Sequence, residues 1–390
     1  MKNRSVIKIE SVAFGGSGVG RADNLVVFVP FSAPGDELEI EITQRKKNFL
    51  RGRIRNIIKP SPWRTDPVCR YYGVCGGCCY QHIHYAYQLA IKKKQVEDAF
   101  RRIGKVDAPP VLETVASPRM YHYRGKARYH VGDDPQTGHI GFLDISGGKI
   151  VDIEHCAIMQ ETINEQLSIL RENRQNLWHK DELTIWSRYP DVASEDQTSV
   201  VRIVQGKRIL APYDGFFQAN EYLTDRLVDE VCRLVRPGKV ENAIDAFCGS
   251  GLFSLFLSPF AEDITGIEMD KESVKYAKIN AANLNARNVR FLDGNVEIVL
   301  REKFLSLGSK IDLIVLDPPR VGCEMTLLKT LMDLQPSNII YISCNPATQA
   351  RDIKYLCEGG YHLQSLHPLD MFPQTEHIEV IGYLKRIMAL

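Results

Sequence analysis

From about residue 240 onward the sequence alternates apolar, strand-like runs with helix-like stretches, and few folds accommodate that rhythm. The runs are Asn242–Phe247, Asp263–Glu268, Val289–Leu292, Ile311–Leu316 and Asn338–Ile342. Such alternation predicts an α/β fold with a parallel, doubly wound sheet, because each return between parallel strands needs a crossover helix. A last pair, near Tyr361–Leu366 and His377–Leu384, is close enough in sequence to form an antiparallel hairpin. Ligands of open α/β sheets sit at the carboxyl ends of the strands. The strand ends are therefore where chemistry is to be sought.

The first of them reads Asp245-Ala246-Phe247-Cys248-Gly249-Ser250-Gly251. Glycine lets the backbone approach a ligand closely. Glu268 closes the next strand, where an acceptor for a ribose hydroxyl belongs. Only two glycines are present, and an acid precedes them. That combination suits a cofactor without pyrophosphate and with a positive charge, S-adenosylmethionine rather than a dinucleotide. A second end, Leu316-Asp317-Pro318-Pro319-Arg320, is locked by prolines that fix φ and remove donors. Methylators of base amino groups carry a related sequence followed by an aromatic residue, so Arg320 argues against exocyclic-nitrogen chemistry. A third, Tyr341-Ile342-Ser343-Cys344-Asn345-Pro346, puts Cys344 in a loop directly after a strand, the place of a candidate nucleophile. Cys232, Cys248, Cys323 and Cys357 read instead as small buried hydrophobes. The segment Asp370 to Glu379 leads ionisable residues into the final strand, with His377 and Glu379 on one face and Ile378 on the other. A carboxylate at the mouth of a site is a candidate general base, whereas Glu376 and His377 also fit a solvated strand end.

The amino-terminal half is different. Residues 5–58 read as short strands between glycine-rich turns, a pattern for a small β-barrel. Its end holds Arg45, Lys46, Lys47, Arg51, Arg53 and Arg55 with no acid among them. This is either a strand that tracks phosphates or a charged edge that resists aggregation. Pro60-Ser61-Pro62 reads as a linker, and Tyr85 to Ile103 as a helix with Lys92, Lys93 and Lys94 on its surface. From Tyr121 to Cys156 the pattern is β again, broken at Asp133-Asp134-Pro135, and Arg119, Arg124, Lys126 and Arg128 form a second basic cluster. The chain of 390 residues is long enough for two or three domains. With 49 basic and 48 acidic residues its net charge is +1, so a nucleic-acid partner must be held by local patches. No apolar run is long enough for a transmembrane helix, and Met1-Lys2-Asn3-Arg4-Ser5 leads into no apolar leader core, so a cytoplasmic protein is expected. Ten cysteines in such a chain suggest metal or catalysis rather than disulfides. Cys69, Cys75 and Cys78 have metal-ligand spacing, with Cys156 a separate candidate for a fourth ligand. Spacing alone allows zinc or an iron–sulfur cluster, and His82 or His84 as a substitute ligand for zinc.

Taken together, Phe216-Phe217-Gln218-Ala219-Asn220, Asp245 to Gly251, Asp317 to Arg320, Ser343 to Pro346 and Phe372-Pro373-x-Thr375-x-His377-x-Glu379 resemble the RNA uracil-5-methyltransferase family. The resemblance covers nearly the whole chain and is to the RumA-like branch, which acts on 23S ribosomal RNA. It implies a TRAM-like, OB-like RNA-binding β-barrel over residues 1–59 and a β-rich central domain over 60–210. Residues 211–390 would then be a Rossmann-like S-adenosylmethionine-dependent methyltransferase domain. It further implies that Cys344 adds to C6 of the target uracil, that C5 takes the methyl group, and that Glu379 removes the C5 proton before Cys344 is expelled. Covalent addition divides one hard step into easier ones, because C5 of uracil is a poor nucleophile.

The resemblance places Gln218, Phe247, Leu252, Glu268, Asn295 and Asp317 around S-adenosylmethionine. Some relatives carry a polar residue where Leu252 stands, so a contact there would run through the backbone. It tips the cysteine reading to a [4Fe–4S] cluster on Cys69, Cys75, Cys78 and Cys156, structural or RNA-positioning in role, with Cys79 a bystander. Base flipping of a uridine in single-stranded or loop RNA is implied. Ribosomal RNA is favoured over transfer RNA because simpler transfer-RNA relatives usually lack both the TRAM unit and the cysteines, although some archaeal-type ones keep the cysteines. No membrane and no obligate protein partner is expected. The alternatives are a transfer-RNA enzyme acting on the T-loop and a non-catalytic ribosome-assembly factor, which intact Cys344 and Glu379 argue against. A cytosine-5 methyltransferase would place its cysteine after proline rather than after Ser343, and the glycine loop is too short for a dehydrogenase.

Overall fold

The computed structural model describes residues 4–387 except 23, 133–137, 174–180, 189–197, 237 and 239. The break expected at Asp133-Asp134-Pro135 lies outside the described residues. The chain divides into two compact units. One comprises Met1–Gln95, Arg119–Arg188 and Phe372–His377, the other Val96–Pro118, Tyr189–Met371 and Ile378–Leu390.

In the first unit a six-stranded sheet runs in the spatial order Arg4–Lys8, Glu37–Arg45, Phe49–Lys59, Leu25–Val29, Gly18–Ala22, Ser11–Val12. Alternation along the strands turns Val27, Val29, Leu38, Ile40 and Leu50 inward, and all five are fully buried. On the outer face Glu41 takes Arg53 at 2.8 Å and also pairs with Arg55, so part of the basic run is balanced within the sheet. Lys46, Lys47 and Arg51 stay exposed. A second, antiparallel sheet is ordered Glu182–Trp186, Lys126–Val131, Ile140–Leu143, Ile150–Asp152. The helix Glu161–Glu172 lays Ile163 and Leu167 into a core with Tyr129, Ile140 and Met159.

The expected helix over Tyr85–Ile103 runs Tyr85–Arg102. Lys92 does not lie on its surface, however. It is fully buried, because that position falls on the apolar face with Ile91 and Val96.

The second unit holds a seven-stranded sheet in the order Val289–Asp293, Ala261–Glu268, Val240–Ala246, Leu313–Leu316, Asn338–Ser343, Glu379–Arg386, Tyr361–Leu369. The first five strands are parallel, and Glu379–Arg386 runs antiparallel to both its neighbours. The central strands are continuous apolar runs because both faces are covered. Ile314, Val315, Leu316 and Ile339 to Ile342 have no exposed surface. Winding reverses between Val240–Ala246 and Leu313–Leu316, which lie side by side with Ala246 opposite Leu316. That reversal opens a crevice at their carboxyl ends. The final strand begins at Glu379, so His377 is not on it. Phe372–His377 is a turn, stabilised by the bonds that its backbone makes to side chains and to a loop. Among the described residues no helix is long and apolar enough to cross a membrane.

Candidate active site

The glycine loop at the crevice is built for close approach. Phe247, Gly249 and Gly251 adopt positive φ of 65, 52 and 86°. A Cβ on Gly251 would stand 2.8 Å from the ring of Phe291, so backbone and packing both demand glycine. Gly249 N donates to Glu268 Oε2 at 3.0 Å, and Glu268 Oε1 takes Met269 N and Asp270 N at 2.8 and 2.9 Å. The strand-end acid is thus held rigidly at the mouth of the loop.

Asp245 is buried beneath it. Its Oδ2 accepts from Ser254 N at 2.8 Å and Ser254 Oγ at 2.6 Å, while Oδ1 has no partner. Burial, and then the charge of Glu268, push its carboxyl up to about 7. A buried carboxylate oxygen left bare wants a cation. This is the chemistry of a positively charged cofactor, and the residues present fit S-adenosylmethionine. Leu252 starts the next helix with its side chain buried, which leaves only backbone to a ligand. Asn295 uses its Oδ1 to accept from Ile298 N at 3.3 Å and is otherwise exposed. Gln218 is buried.

The candidate nucleophile and the candidate base stand on adjoining strands. Ile342 pairs with Ile381 and Ser343 with Val380, so the next pair in the ladder would be Cys344 and Glu379. Cys344 is half-buried. Burial and the charge of Glu379 push its thiol up to about 11, Asp317 adds to this, and Arg320 opposes it. Glu379 is buried, and desolvation with Asp317 beside it holds its carboxyl well above the usual range. Asp317 is pushed up to about 7 by desolvation and by Asp245. Cys344, Glu379, Asp317 and Arg320 therefore form one group, and Asp245 joins it to the glycine loop.

Two loops of this group are tied to one another. Asn345 Nδ2 and Thr348 Oγ1 donate to Arg320 O at 3.2 and 3.3 Å. Asp352, fully buried, accepts from Tyr341 OH at 2.7 Å, Cys323 N at 2.8 Å and Arg351 Nε at 2.8 Å. Sequence reasoning singles out neither Asp352, Ser254 nor Phe291. The signals for Phe291 are Gly251 and Gly266, and the missing Cβ of Gly266 would lie 2.4 Å from its ring.

In the first unit Cys69, Cys75, Cys78 and Cys156 line one cavity of about 300 Å³, with Gln81, Arg124 and Phe142 also in its wall. Burial raises the Cys75 and Cys78 thiols and takes Cys156 to about 11. Cys79, His82 and His84 do not line this cavity. His82 is turned to Tyr72 OH, 2.5 Å from its Nδ1. Among the described residues no three His, Cys, Asp or Glu side chains close on a single metal ion. Four soft thiols around a shared space are a donor set that zinc and an iron–sulfur cluster both accept.

Comparison with known proteins places these features. Residues 194–387 match the model of the tRNA (uracil-5-)-methyltransferase family, and residues 6–54 match the TRAM domain. An uncharacterized RNA methyltransferase of Halalkalibacterium halodurans is 32% identical over 97% of this chain and 96% of its own length. One of Clostridium acetobutylicum is 31% identical over 95% of each. Among solved structures, the Pyrococcus abyssi tRNA (uracil-54, C5)-methyltransferase in complex with S-adenosyl-L-homocysteine matches with a TM-score of 0.74 and 26% identity. The match covers 98% of this chain and all of that one. The chain therefore belongs to the RNA uracil-5-methyltransferase family: it is an S-adenosylmethionine-dependent RNA methyltransferase with a TRAM domain at its amino end.

Proposed function

We propose that this enzyme methylates C5 of a uridine in 23S ribosomal RNA through a covalent bond between Cys344 Sγ and C6. The observation that carries the mechanism is the register that puts Cys344 and Glu379 next in one ladder, with Asp317 and Arg320 beside them. The thiol first loses its proton to solvent water, and Arg320 favours the thiolate. Sγ then bonds to C6, and the pair of the C5–C6 double bond moves to C5. S-adenosylmethionine supplies the methyl group and leaves as S-adenosylhomocysteine. Glu379 takes the C5 proton, the double bond re-forms, and the C6–S bond breaks to return the thiolate. A carboxylate raised by burial is a stronger base than one in water, which suits a carbon-bound proton.

The ribosomal target is supported by the joint presence of a TRAM match and the four thiols, which simpler transfer-RNA relatives usually lack. A transfer-RNA target is the alternative, and the Pyrococcus abyssi enzyme that matches the chain over its full length is a tRNA (uracil-54, C5)-methyltransferase. Tritiated S-adenosylmethionine, offered with unmodified ribosomal RNA and unmodified transfer RNA separately, decides between them. Label is expected as 5-methyluridine in ribosomal RNA and absent with Cys344→Ala. Label in transfer RNA alone would overturn the target and keep the mechanism. No label in either would favour an assembly factor.

The same reading gives Cys69, Cys75, Cys78 and Cys156 a [4Fe–4S] cluster, supported by their shared cavity. Cys75→Ser is expected to lose the brown chromophore of anaerobically purified protein and to lower the unfolding temperature. An unchanged visible spectrum would remove the cluster from the account. Free thiols throughout suit a reducing compartment, and we place the enzyme in the cytoplasm.

A further inference from the structure

The basic run over residues 45–55 is interrupted by Phe49, which a track for phosphates alone does not need. In the strand Phe49–Lys59, alternation buries Leu50 and Gly52 and turns Phe49, Arg51 and Arg53 to the outer face of the six-stranded sheet. In the strand Leu25–Val29, Val27 and Val29 are buried. Phe28, half-buried on the outer face, is paired in register with Arg51. The rings of Phe28 and Phe49 meet edge to face, with centroids 5.7 Å apart and planes at 78°. Such a contact occupies the face of one ring and only the edge of the other.

Both rings line a groove of about 760 Å³, within the range of small-molecule pockets, about 300–1,000 Å³. Arg51 and Arg53 line it as well. The sheet supplies only part of the lining. Gly73 comes from the cysteine loop, and Ile145 from the turn between the strands Ile140–Leu143 and Ile150–Asp152. That turn is clamped to the cysteine loop. Ile145 N donates to Val74 O at 3.0 Å, and Gly76 N donates to Leu143 O at 2.9 Å. Phe31, also in the lining, sets its ring edge to face with Tyr72 of the same loop, 5.4 Å between centroids. The whole groove lies in one compact unit, and Cys344 and Glu379 belong to the other. None of its residues has a part in methyl transfer.

Half-buried aromatic rings with arginines beside them are what a single-stranded nucleic acid needs: bases stack on the rings, and the cations meet the backbone. We propose that this groove is a stacking site for an unpaired base of the RNA, separate from the site of methyl transfer. The base lies against Phe28 and Phe49, and Arg51 and Arg53 meet the flanking phosphates. The proposal rests on RNA as the substrate class, and not on which RNA or on the roles of Cys344 and Glu379. Every base has a π-face, so the site tolerates sequence and selects for a strand that is unpaired there. Because Gly73 and Ile145 stand on or against the loop of Cys75, the cysteine loop shapes the groove together with the sheet.

Binding of two single-stranded probes by the full-length protein tests this. One is an oligocytidylate of about twelve nucleotides, within the site sizes of such grooves, and the other an abasic ribose-phosphate strand of the same length. Cytidine offers no uracil to Cys344, so covalent capture does not enter. The wild type should bind the oligocytidylate more tightly than the abasic strand. Phe49→Leu keeps an apolar side chain and removes the ring. It should weaken oligocytidylate binding about tenfold, the scale of one base–aromatic stack, and leave abasic binding unchanged. Phe49→Trp, which keeps a ring, should keep the affinity. Ile145 is 59% exposed, so Ile145→Asp costs the fold little and should also weaken oligocytidylate binding. Equal wild-type affinity for the two strands would mean a track for phosphates only and overturn the proposal. So would a loss in Phe49→Leu as large on the abasic strand as on the oligocytidylate. Unchanged oligocytidylate binding in Phe49→Leu, or in Ile145→Asp should Phe49→Leu not fold, would leave the groove to another occupant and overturn it too. A failure to methylate any RNA would overturn the catalytic reading and leave these affinities as they are.

Discussion

Asp245 has one carboxylate oxygen bonded twice to Ser254 and the other bare, in a site with Glu268 close by. Its ionised form attracts a cationic cofactor and its neutral form does not. With the carboxyl at about 7, affinity for S-adenosylmethionine should be full above that pH. Below it, affinity should fall by up to about tenfold per pH unit, the limit for one linked proton. Calorimetric titration across neutrality measures this, and Asp245→Asn should flatten the profile at the weaker level. Asp245, Glu268 and Cys344 are legible in the sequence because their signal is local: a strand, a short loop and a helix in succession. The pairing of Cys344 with Glu379 is not legible in that way. It depends on register between strands that the intervening chain separates, and no short window of sequence fixes register.

At the scale of elements, Asp352 joins the end of one strand, the proline loop and the helix Pro346–Glu358. Asp352→Ala would leave Tyr341 OH and Cys323 N buried without an acceptor. It should cost about 3 kcal/mol in denaturant unfolding, the range for breaking a buried network from one side. The same variant should slow alkylation of Cys344, because the loop bearing Arg320 is no longer braced. Asp352 sits mid-helix, where its letter suggests a solvated face, and only tertiary packing shows otherwise. The turn Phe372–His377 misleads for a related reason. His377, Ile378 and Glu379 alternate like a strand, but the bonds of the preceding backbone go to Lys92, Gln88 and the loop at Cys79. Lys92 itself reads as one of three surface lysines until its burial is seen.

For the molecule as a whole, a net charge of +1 means that RNA must be gripped by patches rather than by a general field. Arg53 and Arg55 are engaged by Glu41, and Lys46, Lys47 and Arg51 are among the other exposed cations of that strand pair. If they meet phosphates, replacing Lys46 and Lys47 by alanine should reduce the slope of log affinity against log salt. The reduction is about 0.7 for each phosphate that is no longer neutralised on single-stranded RNA. An unchanged slope would leave the run as a charged edge that prevents strand-on-strand association. One feature of the large sheet bears on how the enzyme is made. The strand Glu379–Arg386 lies between Asn338–Ser343 and Tyr361–Leu369, yet follows both in the chain. During synthesis from the amino end, Cys344 and both flanking strands leave the ribosome while the slot between them is still empty. A nascent chain can therefore hold the thiol without the base. On the proposed mechanism, it becomes able to release a modified RNA only when its late strand threads into place.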